Sequence, residues 1–201
     1  MAKIIPYHKQ RYDPLDYKRV DETALEKNGQ LDLFNQANYQ TEATTLPMAN
    51  KVFDIALQLD IHNDPTAARY YLRAIEKNES KAHALCNLGV LSAHKQEMID
   101  AINYFTQALI EDPRHTESHF NLANVYFAAG NHSLAILHYK IVCAIAPDFD
   151  DVYFNLGLAY LESEDFKNAQ AALITYNKRV PHQNRQRIDL IIQSLSKFDL
   201  A

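Results

Sequence analysis

Glycine and long apolar runs are scarce in this chain. Only four of its 201 residues are glycine, which excludes collagen-like and glycine-linker architectures. No apolar run approaches the roughly 20 residues that a membrane-spanning helix needs. The first residues carry charge but no apolar stretch of signal-peptide length. We therefore predict a cytoplasmic protein with no membrane partner.

Cysteine is rare as well. Cys86 and Cys143 stand far apart and neither has a CxxC partner, so a disulfide framework is not expected and both thiols are predicted to be reduced. His115 and His119 are four residues apart, but His115 is predicted to precede the helix that carries His119, and no carboxylate or cysteine completes a ligand set. We expect surface histidines, no metal and no cofactor.

The charge balance is slightly acidic. The chain has 25 acidic and 20 basic residues, a formal net charge of -5 at pH 7, which is the wrong sign for binding phosphate backbones. Direct contact with nucleic acid is therefore not expected. We find no glycine-rich phosphate loop, nucleophile elbow or paired-carboxylate arrangement, and we predict that the protein is not an enzyme.

Several residue types recur every 34 residues along the chain. They are a proline (Pro113, Pro147, Pro181), an alanine (Ala67, Ala101, Ala135, Ala169), a leucine followed by a small residue (Leu88-Gly89, Leu122-Ala123, Leu156-Gly157) and a large apolar residue (Tyr71, Phe105, Tyr139, Leu173). A fixed period of this size is typical of a stacked repeat array.

These registers resemble the tetratricopeptide repeat family. Units that begin at residues 82, 116 and 150 carry most of the family pattern, and an earlier unit matches it least well. The resemblance implies an all-α fold, an α-solenoid of four helix-turn-helix units with a C-terminal capping helix. The predicted helix pairs are 48–61/65–78, 82–95/98–111, 116–129/132–145 and 150–163/166–179.

This organisation predicts three parts of the chain. Residues 1–46 form an N-terminal tail that is partly disordered, residues 47–181 form the four repeats, and residues 182–201 form the cap. In the cap, Ile188, Ile191, Ile192 and Leu195 share one helical face, which suits a helix that covers the last apolar surface of a stack.

The resemblance implies that the first helix of each unit lines a concave groove. The candidate groove residues are Phe53, Asn87, Phe120, Asn121, Asn124, Phe127, Phe154, Asn155 and Leu158. Asparagine amides suit the backbone of an extended peptide, and phenylalanines suit its apolar side chains. We therefore predict a non-enzymatic scaffold that binds an apolar peptide segment of a protein partner.

Two other interpretations of the groove stay open. The asparagines also suit hydrogen bonds to the neighbouring repeat, and the phenylalanines suit contacts with adjacent helices. The identity of the bound segment also stays open. The groove would fit a segment of another protein, a second copy of the chain through self-association, or the chain's own residues 28–40. A clamp for a C-terminal carboxylate is not expected, because the relevant groove positions hold no lysine or arginine.

The tail contains one short motif. Gln30, Leu31, Asp32, Leu33 and Phe34 resemble the pentapeptide by which bacterial replication and repair proteins bind the sliding clamp. This suggests an alternative function as a clamp-associated adaptor in DNA replication or repair. The same string is similar to clathrin-box peptides, and it also suits packing onto the first repeat or into the groove.

Overall fold

The computed structural model describes residues 51–179 and 185–196. Within these two ranges the chain forms nine helices and no strand. They are α1 (Val52–Ile61), α2 (Ala67–Glu76), α3 (Lys81–His94), α4 (Met98–Glu111), α5 (Thr116–Ala128), α6 (His132–Ile145), α7 (Asp150–Glu162), α8 (Phe166–Arg179) and α9 (Arg185–Leu195).

Consecutive helices pack as hairpins. The tightest pairs are α1 with α2, α3 with α4, α5 with α6 and α7 with α8, and each hairpin packs on the next. Helix α9 packs on α8, where Ile188 and Leu195 are buried beside Ala169 and Leu173. The predicted all-α solenoid with a capping helix is confirmed.

The predicted bounds of α3 to α8 agree with the observed ones to within one residue, whereas α1 begins at Val52 rather than at residue 48 and α2 is two residues shorter than predicted at each end. We expected helix α2 to begin at residue 65. Instead the Asp64 carboxylate accepts hydrogen bonds from the backbone N–H and the hydroxyl of Thr66, at 2.8 and 2.6 Å. This local turn occupies Pro65 and Thr66, so the helix begins at Ala67.

Small residues let the two helices of a unit approach closely. A Cβ atom on Gly89 would lie 2.6 Å from the Phe105 ring, and one on Gly157 would lie 2.8 Å from the Leu173 side chain. Phe105 and Leu173 are fully buried, so neither can easily move aside. The glycine at this register is therefore explained by its contact with the large residue of the paired helix.

The turn inside each unit uses a left-handed residue at one register. It is Asn63, Gln96, Gly130 and Glu164 in the four successive units, with φ of 55°, 66°, 77° and 59°. After Gly130, the Asn131 side chain accepts a hydrogen bond from the backbone N–H of Leu134 and caps α6. The predicted interruption between the helices at 116–129 and 132–145 is confirmed.

Candidate peptide-binding surface

The first helices of successive units form one side of the stack. Helix α3 contacts α5 and α5 contacts α7, whereas no comparable contact joins α4 to α6 or α6 to α8. In a curved stack the more closely packed layer is the inner one. We call the surface formed by α1, α3, α5 and α7 the concave face.

A buried asparagine pair joins the last two repeats. The Asn124 side-chain oxygen accepts a hydrogen bond from the Tyr139 hydroxyl at 2.5 Å and another from the Asn155 amide at 3.0 Å. One acceptor on α5 therefore connects its own partner helix α6 with the neighbouring first helix α7. Buried and satisfied networks of this kind rigidify the packing around them.

A similar chain of hydrogen bonds joins the first two repeats. The Asn87 amide donates to the Tyr71 hydroxyl at 3.0 Å, and that hydroxyl donates to the Asp60 carboxylate at 2.9 Å. Burial and the neighbouring Asp60 charge raise the pKa of Tyr71, which therefore stays protonated. Asn121 lies 3.9 Å from the Cys86 sulfur through its amide nitrogen, so it also faces the preceding repeat.

The nine predicted groove residues fall into two groups by exposure. Phe53, Asn87, Phe120, Asn121, Asn124 and Asn155 are buried, whereas Phe127, Phe154 and Leu158 are partly exposed. Phe120 packs within 4.7 Å of Phe149, measured between ring centroids. The buried group contributes to packing between helices. In the partly exposed group, Phe127 also packs on His132 of α6 and Phe154 on Tyr176 of α8, and the remaining apolar surface is exposed on α5 and α7.

The helices of the concave face are acidic. They carry Asp54, Asp60, Glu117, Asp150, Asp151 and Glu162. Their one basic residue, Lys81, places its ammonium nitrogen 2.7 Å from the Glu111 carboxylate on α4. The described part of this surface therefore offers no cation cluster that would hold a carboxylate.

Comparison with known proteins agrees with this geometry. Residues 123–163 match the family described as TPR repeat. The chain contains tetratricopeptide repeats. A curated relative, the heat-shock protein cognate co-chaperone sgt12 of Aspergillus fumigatus, is 28% identical over 116 residues, which are 54% of this chain and 34% of the relative. The chain thus spans about a third of the length of that relative.

Solved structures with higher coverage share the tetratricopeptide fold. MamA from Desulfovibrio magneticus RS-1 is 20% identical, with a TM-score of 0.61, covering 73% of this chain and 88% of MamA. The Yersinia enterocolitica type III secretion chaperone SycD, in complex with a peptide of the translocator YopD, is 15% identical. Its TM-score is 0.53, and the match covers 57% of this chain and 92% of SycD.

The histidines of the array are placed differently from our expectation. His115 and His119 are both buried, so their predicted surface position was wrong. His115 precedes α5 as expected, and its Nδ1 accepts a hydrogen bond from the Ser118 backbone N–H. His119 faces α6, where its Nδ1 lies 2.9 Å from Nδ1 of His138, a partner that sequence spacing could not indicate.

The two thiols of the array are not activated. Burial raises the pKa of Cys86 to about 12 and that of Cys143 to about 11, so both stay protonated at neutral pH. Residues 51–179 and 185–196 contain no group of three or more metal-ligating side chains. In the same ranges, no helix has the length and apolar character needed to cross a membrane.

The tail motif Gln30–Phe34 and the segment 28–40 lie outside the described residues. Their binding to a sliding clamp, to the groove or to another partner stays a prediction.

Proposed function

We propose that this protein is a non-enzymatic, cytoplasmic interaction scaffold whose concave face binds an extended segment of another protein. One observation carries this proposal. Phe127, Phe154 and Leu158 keep apolar side-chain surface on the concave face, whereas the repeats behind them are joined by satisfied hydrogen bonds. A preformed apolar surface on a rigid support binds with a small entropic cost.

The asparagines contribute to this site mainly by holding its shape. Asn87, Asn124 and Asn155 donate or accept hydrogen bonds between helices, and Asn155 lies beside the partly exposed Phe154 and Leu158 in the sequence of α7. We propose that Asn155, which keeps a small exposed fraction, adds a polar contact at the edge of the bound segment, whereas the fully buried Asn121 supports the packing of α5 against α3. Apolar pockets then supply affinity, and the Asn155 amide supplies orientation.

The comparisons support a peptide as the ligand. A structure with this fold holds a peptide of the translocator YopD, and the curated relative is named a co-chaperone. The protonated state of Cys86 and Cys143 supports the non-enzymatic part of the proposal, because neither thiol is available as a nucleophile near neutral pH. Two free cysteines in the array also fit a reducing compartment.

The proposal is tested by selecting peptides from a random library on the immobilised full chain. We expect Phe154→Ala to weaken the binding of the selected peptides at least tenfold, because truncating an aromatic anchor at an interface typically costs about 2 kcal/mol. Ile110→Ala is the matched control, since Ile110 is an exposed apolar residue on α4, a second helix. Urea unfolding of both variants separates lost binding from lost stability.

The outcome that contradicts the proposal is equal binding by the Phe154→Ala variant and the wild type. A loss of the same size in the Ile110→Ala variant would also contradict it, because the binding surface would then not be the concave face.

A further inference from the structure

Charge is divided between the two layers of the array. The first helices carry six acidic residues and Lys81, which is paired with Glu111. The second helices carry six basic residues (Arg69, Arg73, Lys140, Lys167, Lys178, Arg179) and three acidic ones (Glu76, Asp100, Glu111). Summed over a concave surface, such an arrangement gives a negative potential that attracts cationic segments.

The accessible carboxylates of the concave face lie at its two ends. Asp54 is exposed and Asp60 partly exposed on α1, and Asp151 is exposed on α7, whereas Glu117 on α5 is buried. Arg179 offsets part of the charge at the far end, because its guanidinium lies 3.3 Å from the Asp150 carboxylate. A ligand that complements this face needs several positive charges spaced along an extended chain, together with apolar side chains for Phe127 and Phe154.

The chain itself contains a segment of this composition. Residues 1–20 carry five basic residues (Lys3, Lys9, Arg11, Lys18, Arg19) and two acidic ones (Asp13, Asp16), with Ile4, Ile5, Tyr7, Tyr12 and Tyr17 between them. Residues 21–46 have the opposite balance, with Asp21, Glu22, Glu26, Asp32 and Glu42 against Lys27. Charge complementarity therefore favours residues 1–20 over residues 28–40.

The connection to the array is long enough for this contact. Thirty residues, 21–50, separate the basic segment from the first described residue, Lys51. A coil of that length has an end-to-end distance of about 30 Å. Neighbouring packed helices lie about 10 Å apart, so the first helices from α1 to α7 span about 30 Å as well. A tethered segment at this range has an effective concentration on the order of millimolar.

We propose that residues 1–20 bind the concave face of their own chain and must be displaced by a partner segment. The proposal rests on the proposed function, because it assigns an occupant to the same peptide-binding surface. It also defines the chemistry of a competing partner, which is a cationic segment with aliphatic and aromatic residues.

Zero-length carbodiimide cross-linking of the full chain tests the contact, because it joins a lysine amine only to a carboxylate that it touches. We expect amide links from Lys3 or Lys9 to the exposed carboxylates of Asp54 or Asp151, identified by mass spectrometry. Lys27 is the internal control amine, as it lies in the acidic segment. A mixture of ¹⁴N- and ¹⁵N-labelled chains separates links within one chain from links between chains.

Three results overturn the proposal. One is the absence of links from Lys3 and Lys9 to the concave face, and another is an equal yield from Lys27. The third is a set of links found only between differently labelled chains, which would make a second copy the occupant.

A charge-reversal experiment gives an independent measurement. A fluorescent synthetic peptide of residues 1–20 is titrated with the full chain and with its Lys3→Glu/Lys9→Glu/Arg11→Glu variant. We expect the variant to bind the peptide at least tenfold more tightly, because its own segment no longer competes. Adding Asp54→Asn and Asp151→Asn to that variant should weaken peptide binding at least fivefold. Equal binding in all three proteins overturns the proposal.

The two proposals fail differently. If library peptides bind the wild type through Phe154 but charge reversal changes nothing, the concave face binds partners and residues 1–20 are not its occupant. If the library peptides also bind the Phe154→Ala variant as tightly as the wild type, the binding surface itself is wrongly assigned.

Discussion

Replacing Asn124 by alanine should destabilise the junction between the last two repeats. The substitution removes the acceptor shared by the Tyr139 hydroxyl and the Asn155 amide, at 2.5 and 3.0 Å. Tyr139 and Asn155 are both buried, so their donors lose a partner where water does not easily replace it. A buried donor left unsatisfied costs about 1–3 kcal/mol, and two such donors predict a loss of about 2–6 kcal/mol.

Urea unfolding followed by tyrosine fluorescence measures this loss, and Tyr139→Phe is its matched control. The control removes one donor and leaves Asn124 bonded to Asn155, so we expect it to cost about 1 kcal/mol. When Asn124→Ala and Tyr139→Phe are combined, their losses of unfolding free energy should not add, and the coupling energy should be about 0.5–3 kcal/mol.

Hydrogen exchange should locate the effect of Asn124→Ala. Because repeat arrays are stabilised mainly by contacts between neighbours, protection should fall more in α7 and α8 than in α1 and α2. A loss below about 0.5 kcal/mol, or strict additivity with Tyr139→Phe, would refute the view that this network joins the repeats.

Three further predictions concern other parts of the array. Burial and the neighbouring His119 lower the pKa of His138 to about 4, below the unfolded value of about 6.5. The unfolded chain therefore binds more protons, so the free energy of unfolding should fall as the pH drops from 6.5 towards 4. The loss should be about 1–2 kcal/mol for this half-buried ring. Urea titrations at pH 7.5 and 4.5 should show a smaller loss of unfolding free energy in the His138→Gln variant than in the wild type. An equal loss in the two proteins would contradict the assignment of this pH dependence to His138. Gly89→Ala should cost about 1–2 kcal/mol in urea unfolding, because the new methyl group meets the buried Phe105 ring, and a stabilised variant would contradict this. Gln96→Gly should raise the free energy of unfolding by up to about 1 kcal/mol, because Gln96 has φ of 66° and a residue with a Cβ atom is strained there, whereas glycine is not. A lower melting temperature of the variant would contradict this prediction.

The asparagine network changes what a binding experiment on this protein measures. Asn121→Ala together with Asn155→Ala is expected to weaken the binding of a segment at least tenfold, because Asn155 would lose a polar contact worth about 1–3 kcal/mol and the buried Asn121 would no longer support the packing of α5 on α3. Yet Asn155 also donates to Asn124 across the repeat junction. Binding by this double variant therefore has to be compared with binding by Asn124→Ala. That single variant breaks the same hydrogen bond across the repeat junction and leaves Asn121 and Asn155 in place.

The repeated pattern was sufficient to predict which helices form and how they pair. Alanine and glycine at fixed registers leave space for the large residue of the paired helix, as the contact between Gly157 and Leu173 shows. The start of α2 was less predictable, because the Asp64 carboxylate bonds to Thr66 and extends the turn. Local hydrogen bonds of this kind compete with helix formation over only one or two residues.

The sequence by itself determined the helix pairs and the small and large registers inside each unit, because both follow from residue type and a fixed period. Only the tertiary structure decided the partners of Asn87, Asn124 and Asn155 and the burial of His119 against His138. A side-chain amide or imidazole can serve a ligand, a neighbouring repeat or water equally well. Which one it meets depends on the rotation between repeats, and that rotation is set by the packing of whole helices far apart in the chain.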